Sequence, residues 1–151
     1  MAQPSSTLGD YITPVDGGQW FACNKAITYA AGTTGAVSAK TIFTVTGLVR
    51  VRLFAKCTAT LTSGGAATVE VGTTTNTAGL IAQTTATNIA TNEIWQDATP
   101  DASVELETTR PTYLVSEDIK EKIATTTVTG GSMQYACVWQ PVTADGMVVA
   151  A

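Results

Sequence analysis

The chain contains no histidine. That absence removes the Ser-His-Asp and Cys-His nucleophile systems and most zinc sites. Its three cysteines, Cys23, Cys57 and Cys137, are widely spaced and form neither a disulfide framework nor a CxxC metal or redox motif. They are expected to be reduced thiols, buried as cysteines usually are. Charge is scarce, at 13% of residues against the ~25% usual for soluble domains. Eight Lys and Arg stand against twelve Asp and Glu, a net charge of -4. With no basic footprint, nucleic acid is not an expected partner. No stretch approaches the ~20 apolar residues of a membrane span, so no membrane partner is expected. The opening MAQPSSTLGDYITPVDGG lacks the basic lead and apolar run of a secretory signal, so synthesis in the cytoplasm is expected.

What is present favours sheet. Threonine is about one residue in five, and its branched side chain, restricted at the first torsion, suits a pleated strand better than a helix. At 151 residues the chain is the size of one ordinary domain and long enough for a conventional core. Residues 1–24 carry Pro4, Pro14 and the turn signal Asp16-Gly17-Gly18 without periodicity. They read as an extended N-terminal arm. Residues 25–143 are expected to form the domain, and residues 144–151 a C-terminal tail.

Within the domain the clearest signal is LVRVRLFAKCTATL. Val49, Val51, Leu53, Ala55, Cys57, Ala59 and Leu61 alternate there with Arg50, Arg52, Phe54, Lys56, Thr58 and Thr60. A period of two means one buried face and one more polar face. Ser63-Gly64-Gly65 then reads as a reversal into ATVEV, a predicted hairpin. Further strands are expected in AITYAA, AVSAKTIFTVTG, around Leu80 to Thr84 and Glu93 to Gln96, in ASVELETT, and in PTYLV. In SEDIKEKIATTTV a turn into a strand is favoured over a helix, because the β-branched run is costly in a helix. Gly130-Gly131 is taken as a turn before a last strand, SMQYACVWQPV, with Met133, Tyr135, Cys137 and Trp139 on one face. About eight short strands without a helix predict an all-β fold, an antiparallel β-sandwich or jelly-roll-like domain.

Candidate sites are few. Asp97 and Asp101 flank a turn, and Glu105 and Glu107 alternate on one strand face. Without a D-x-D-x-D-G loop, these carboxylates read as a solvated face or cross-strand ion pairs rather than a calcium or glycosidase site. Arg50, Arg52 and Lys56 form either a solvated face, pairing with Glu70 or with Glu105 and Glu107, or a contact surface for an acidic neighbour. Trp95, Trp139, Tyr113 and Tyr135 fit core packing better than a sugar platform. Tyr11, Trp20 and Phe21 in the arm, and Met147, Val148 and Val149 in the tail, are large apolar groups outside the periodic segments. With Arg50 and Arg52 they are the candidate subunit contacts. No catalytic residue, metal or cofactor is expected.

Three segments taken in order, FTVTGLVRVRLFAKCTATLTSGGAATVEVGT, IAQTTATNIATNEIWQDATPDASVE and VTGGSMQYACVWQPVTADG, resemble small virion-associated structural proteins of tailed bacteriophages. The resemblance spans about residues 26–146 and rests on packing and turn patterns. It implies a capsid decoration, or cement, protein at the capsid surface, partnered by the major capsid protein and by copies of itself, likewise as a homo-oligomer. Another head or tail accessory component is the second possibility it leaves. From a different class, the alternative is a carbohydrate- or receptor-binding module of a phage head fibre or tail.

The alternation generates a first prediction. Leu53→Ala should lower stability by about 2–5 kcal/mol, the cost of a cavity in a strand-lined core. Chemical denaturation measures it, and a change within about 0.5 kcal/mol would place Leu53 on the wrong face.

Overall fold

A computed structural model of the chain describes residues 19–105 and 111–151. Eleven strands run in chain order: β1 (Phe21–Thr28), β2 (Ser38–Thr46), β3 (Val49–Ser63), β4 (Thr68–Gly72), β5 (Ile81–Thr85), β6 (Glu93–Trp95), β7 (Asp101–Ala102), β8 (Tyr113–Val115), β9 (Ile119–Ala124), β10 (Val128–Pro141) and β11 (Met147–Ala150). One 3-10 turn, Ala86–Asn88, is the only helical piece among the described residues. Every strand pairing is antiparallel. The strands form two sheets, one ordered β1-β10-β3-β6-β7 with β8 also on β3, the other β11-β2-β9-β4-β5. The fold is an all-β antiparallel sandwich.

The sequence periodicity explains the layering. Along β3, Val49, Val51, Leu53, Ala55 and Cys57 are buried while Arg50, Arg52 and Phe54 are only half-buried. In β10, Met133, Tyr135 and Cys137 are buried in the same way, with Trp139 partly buried against them. From the second sheet Ile42, Phe43, Val69, Val71, Ile81, Ile119 and Ile123 complete the core. Each such side chain contributes about 1.5–3 kcal/mol on full burial. Trp95 is also buried, its indole N–H donating to Thr84 Oγ1 at 2.9 Å. Its ring stands edge-on to Tyr135, with centroids 6.4 Å apart. Trp95 and Tyr135 are therefore core residues, as their strand positions predict.

Several expectations need correction. The Ser63-Gly64-Gly65 reversal does not make a hairpin, because β3 lies in one sheet and β4 in the other. Both strands need their apolar faces covered, and crossing between sheets turns Val51 and Val69 toward one another's layer. Glu70 consequently pairs with Lys122 on β9, at 3.2 Å, and not with the Arg50, Arg52 and Lys56 set. Gly130-Gly131 is not a turn either. It lies within β10 at a register shift against β3, where Gly131 takes φ 101° and a Cβ would come within 2.5 Å of the Thr60 carbonyl oxygen. Gly131 sits at a bulge that only glycine accommodates.

Of the predicted strand in ASVELETT, residues 102–109, only Ala102 is in a strand among the described residues, as the end of β7. Ser103 adopts φ 67°, which ends the extended backbone, and Val104 is 78% exposed instead of inward-facing. Leu106 and Glu107 lie outside the described residues. At the ends of the domain, Phe21 to Asn24, assigned to the arm, are the first half of β1. The C-terminal tail is a strand as well, since β11 pairs with β2 in register from Met147↔Thr46 to Ala150↔Phe43. Lys25 on β1 hydrogen-bonds the Ala151 backbone oxygen beyond β11, joining the two sheets where their edge strands meet.

The segment Ile119–Ala124 is a strand, as its β-branched content predicts, yet its alternation buries Glu121 together with Ile119 and Ile123. Glu121 is 1% exposed, and its Oε2 accepts hydrogen bonds from the Tyr29 and Tyr135 hydroxyls at 2.9 Å each. The two hydroxyls are 3.3 Å apart. Burial holds the carboxyl above the usual carboxylate range, opposed by these two hydrogen bonds and by Lys40, its register partner on β2. Both phenols are held well above their ordinary value, chiefly by burial, and stay donors. Tyr29 and Tyr135 thus bridge the layers through one buried carboxyl.

The raised carboxyl sets the sign of a pH effect. The unfolded chain ionises Glu121 at lower pH than the folded one, so its neutral form stabilises the fold below the unfolded value. That stabilisation is lost as pH rises through the folded value and then levels off. Denaturant unfolding of the native protein and of Glu121→Gln over this window should give a difference that declines with rising pH; a flat difference would contradict the buried carboxyl. Glu121→Ala should cost about 1–3 kcal/mol through the tyrosine hydroxyls it leaves.

Candidate subunit-contact face

The strand period that sends Val49, Val51 and Leu53 into the core sends Arg50 and Arg52 to the opposite face of the same sheet. Two neighbours of β3 then build a site around them. In register, Arg50 stands between Gln140 on β10 and Leu114 on β8, while Arg52 stands beside Val138 on β10. Arg52 Nε donates to Thr112 Oγ1 at 2.9 Å, just before β8. Trp20, the residue before β1, places its ring 5.1 Å from the Arg52 guanidinium carbon. This is a cation–π contact.

Trp20, Arg50, Arg52, Thr112, Tyr113, Leu114 and Gln140 line a cavity of about 470 Å³. Leu114 at its rim is 65% exposed. Guanidinium forks match carboxylates in a bidentate way, and Trp, Tyr and Arg are the side chains that anchor protein interfaces. The arrangement suits a protein contact better than chemistry. Among the described residues no three acidic or thiol groups gather where they could hold a metal ion. Asp97 Oδ1 instead accepts from the Thr99 N–H at 2.7 Å, and Glu93 Oε2 from the Ala90 N–H at 2.6 Å. These carboxylates brace turns.

Of the candidate contact residues, Trp20, Arg50 and Arg52 come together here. Phe21 does not, because consecutive residues entering a strand face opposite ways. Its ring lies against Trp139, centroids 4.8 Å apart, on the core side of β1 and β10. Met147 and Val149 are 46% and 43% exposed on β11, at the edge of the other sheet. Val148 between them is 3% exposed and belongs to the core, which corrects its assignment as a contact. Tyr11 lies outside the described residues. Sequence periodicity missed Thr112, Leu114 and Gln140, and only pairing with β3 reveals them. Their signal was slight: Leu114 stands out of phase with the buried Val115, and Gln140, itself buried, stands out of phase with Met133, Tyr135 and Cys137.

The geometry of Trp20 and Arg52 is testable by itself. In a double-mutant cycle, Trp20→Ala and Arg52→Ala should couple by about 0.5–1 kcal/mol in unfolding free energy. A coupling near zero would separate the two.

No protein-family model and no curated protein matches the chain. Among solved structures, it is similar to a chain in the acidic stable capsid structure of Helicobacter pylori bacteriophage KHP30. The TM-score is 0.49 at 6% identity, covering 87% of this chain and 94% of that one. It is also similar to a chain of the cyanophage Pam1 capsid asymmetric unit, with a TM-score of 0.45 at 14% identity, covering 93% of this chain and 91% of that one. Both likenesses are distant.

Proposed function

We propose that this chain is a non-enzymatic structural protein of a phage particle, a capsid decoration protein that binds and stabilises the shell through subunit contacts. The observation that carries it is the Trp20, Arg50 and Arg52 face, set where the N-terminal segment enters β1. Two guanidinium groups and an indole on a rigid sheet are interface anchors, and the exposed Leu114 extends them with an apolar rim. The order of segments resembling virion-associated proteins supports the same role. Its partners are then the major capsid protein and further copies of itself, at the virion surface, after synthesis in the host cytoplasm.

Low surface charge suits a protein that lies between neighbours, and a lattice repeats each weak contact many times, so avidity supplies what one interface lacks. Binding of glycans, the other reading, calls for open aromatic platforms. Trp95 and Tyr135 are buried, Trp139 lies tilted against Phe21, and of the two aromatics lining the cavity, Tyr113 packs partly on the core while the Trp20 ring is covered by Arg52.

Electron microscopy of the native particle should show this chain coating the shell. Arg50→Glu combined with Arg52→Glu should leave a folded domain that no longer saturates shells. Deletion of residues 1–18 should likewise abolish incorporation while leaving thermal unfolding nearly unchanged. A particle without the chain on its shell, full binding by both variants, or specific binding on a glycan array would overturn the assignment.

A further inference from the structure

We propose that Cys23 and Cys137 form a modification site: a thiol pair that closes into a cross-strand disulfide when it meets a small disulfide such as oxidised glutathione. The β1–β10 register places the two residues directly opposite each other, one on the edge strand and one on its inner neighbour. Directly opposed residues of an antiparallel pair have Cα atoms about 4.5–5.5 Å apart, inside the window of about 4.4–6.8 Å that a disulfide spans. Their side chains also share a face, here the core side of the sheet. Both are free thiols in this structure.

The third cysteine is excluded by the same ladder. Cys57 faces Met133 on β10, while Cys137 faces Leu53. Four residues along a strand is about 13 Å, beyond the reach of a disulfide. Cys57 Sγ is besides engaged with the Ala59 carbonyl at 3.2 Å and the Ile89 carbonyl at 3.7 Å.

The pair has an inherent order of reaction. Cys23 is half-buried and Cys137 fully buried, so the incoming disulfide meets Cys23 first. A hydrogen bond from the Cys137 thiol favours the Cys23 thiolate, and the same bond together with burial keeps Cys137 protonated. The Cys23 thiolate attacks one sulfur of oxidised glutathione, a Cys23–glutathione bond forms, and one glutathione leaves as thiolate and takes up a proton from solvent. Cys137 sulfur then attacks Cys23 sulfur as its proton passes to the departing second glutathione. Two protein thiols are oxidised and one glutathione disulfide is reduced to two thiols. The bond fastens β1 to β10 two residues from the Phe21–Trp139 pair, and so fixes the strand that carries Trp20.

The full chain, reduced and then incubated with excess oxidised glutathione in mildly alkaline solution, tests this directly. Expected are a mass lower by two hydrogens, a Cys23–Cys137 peptide in a non-reducing map, and Cys57 as the one thiol left after denaturation. The unfolding midpoint should rise by about 5 °C or more and return on reduction. Cys57→Ser should form the same bond, and Cys23→Ser, the milder change at the less buried position, should leave Cys137 unmodified. Three titratable thiols after incubation, glutathione retained on Cys23, or a bridge that includes Cys57 would each overturn the proposal.

Discussion

The ladder between β3 and β10 is the constraint on which the rest of the molecule depends. Their partners run without a shift from Met133↔Cys57 to Pro141↔Val49, so one residue's position in β3 fixes its neighbour in β10. A slip of β3 by one residue would turn Val51, Leu53 and Ala55 outward and bring Arg50 and Arg52 into the core against Tyr135 and Cys137, at a cost of many kcal/mol. The same register therefore sets both faces. On the core side it lines up the apolar side chains and the Tyr135 hydroxyl, and on the other it sets Arg50 against Gln140 and Arg52 against Val138. The Gly131 bulge, where the register shifts, confines the irregularity to the far end of the ladder.

The buried polar groups show how the two sheets are matched. A carboxyl inside an apolar layer is costly unless hydrogen-bonded, and Glu121 receives both its tyrosine donors from the first sheet side, across the core from its own strand. Such an arrangement stabilises little against an apolar replacement of equal shape, but removing one member strands the others. Glu70 resolves its charge differently, through Lys122 and the Gln83 amide on neighbouring strands of its own sheet. Ion pairing within one sheet and hydrogen bonding between sheets thus handle these two buried acids, Glu70 and Glu121, separately.

For the proposed shell contact, rigidity is the useful property. Arg50 and Arg52 project from a 15-residue strand paired on both sides, so their spacing is set by the pleat rather than by a loop. Trp20 reaches the same face only because β1 pairs with β10 as far as Phe21↔Trp139. Anchors held in this way lose little conformational entropy when a partner docks.

The alternation of Val49 to Cys57 and of Met133 to Trp139, written in the residues themselves, determined the strands, their inward faces and the all-β class, though Ala59, expected inward, is exposed where the register shifts. Period two says which side of a strand is apolar, because side chains alternate whatever the partner. It says nothing of which strand lies alongside. Tertiary structure alone decided that the Ser63-Gly64-Gly65 segment crosses between sheets, that Gly131 sits at a bulge, and that Val148 belongs to the core. It decided too that Glu121 meets Tyr29 and Tyr135, residues 92 and 14 positions away, and that Cys23 faces Cys137. Those contacts depend on register and strand order, which follow from covering every apolar face at once and cannot be assigned one segment at a time.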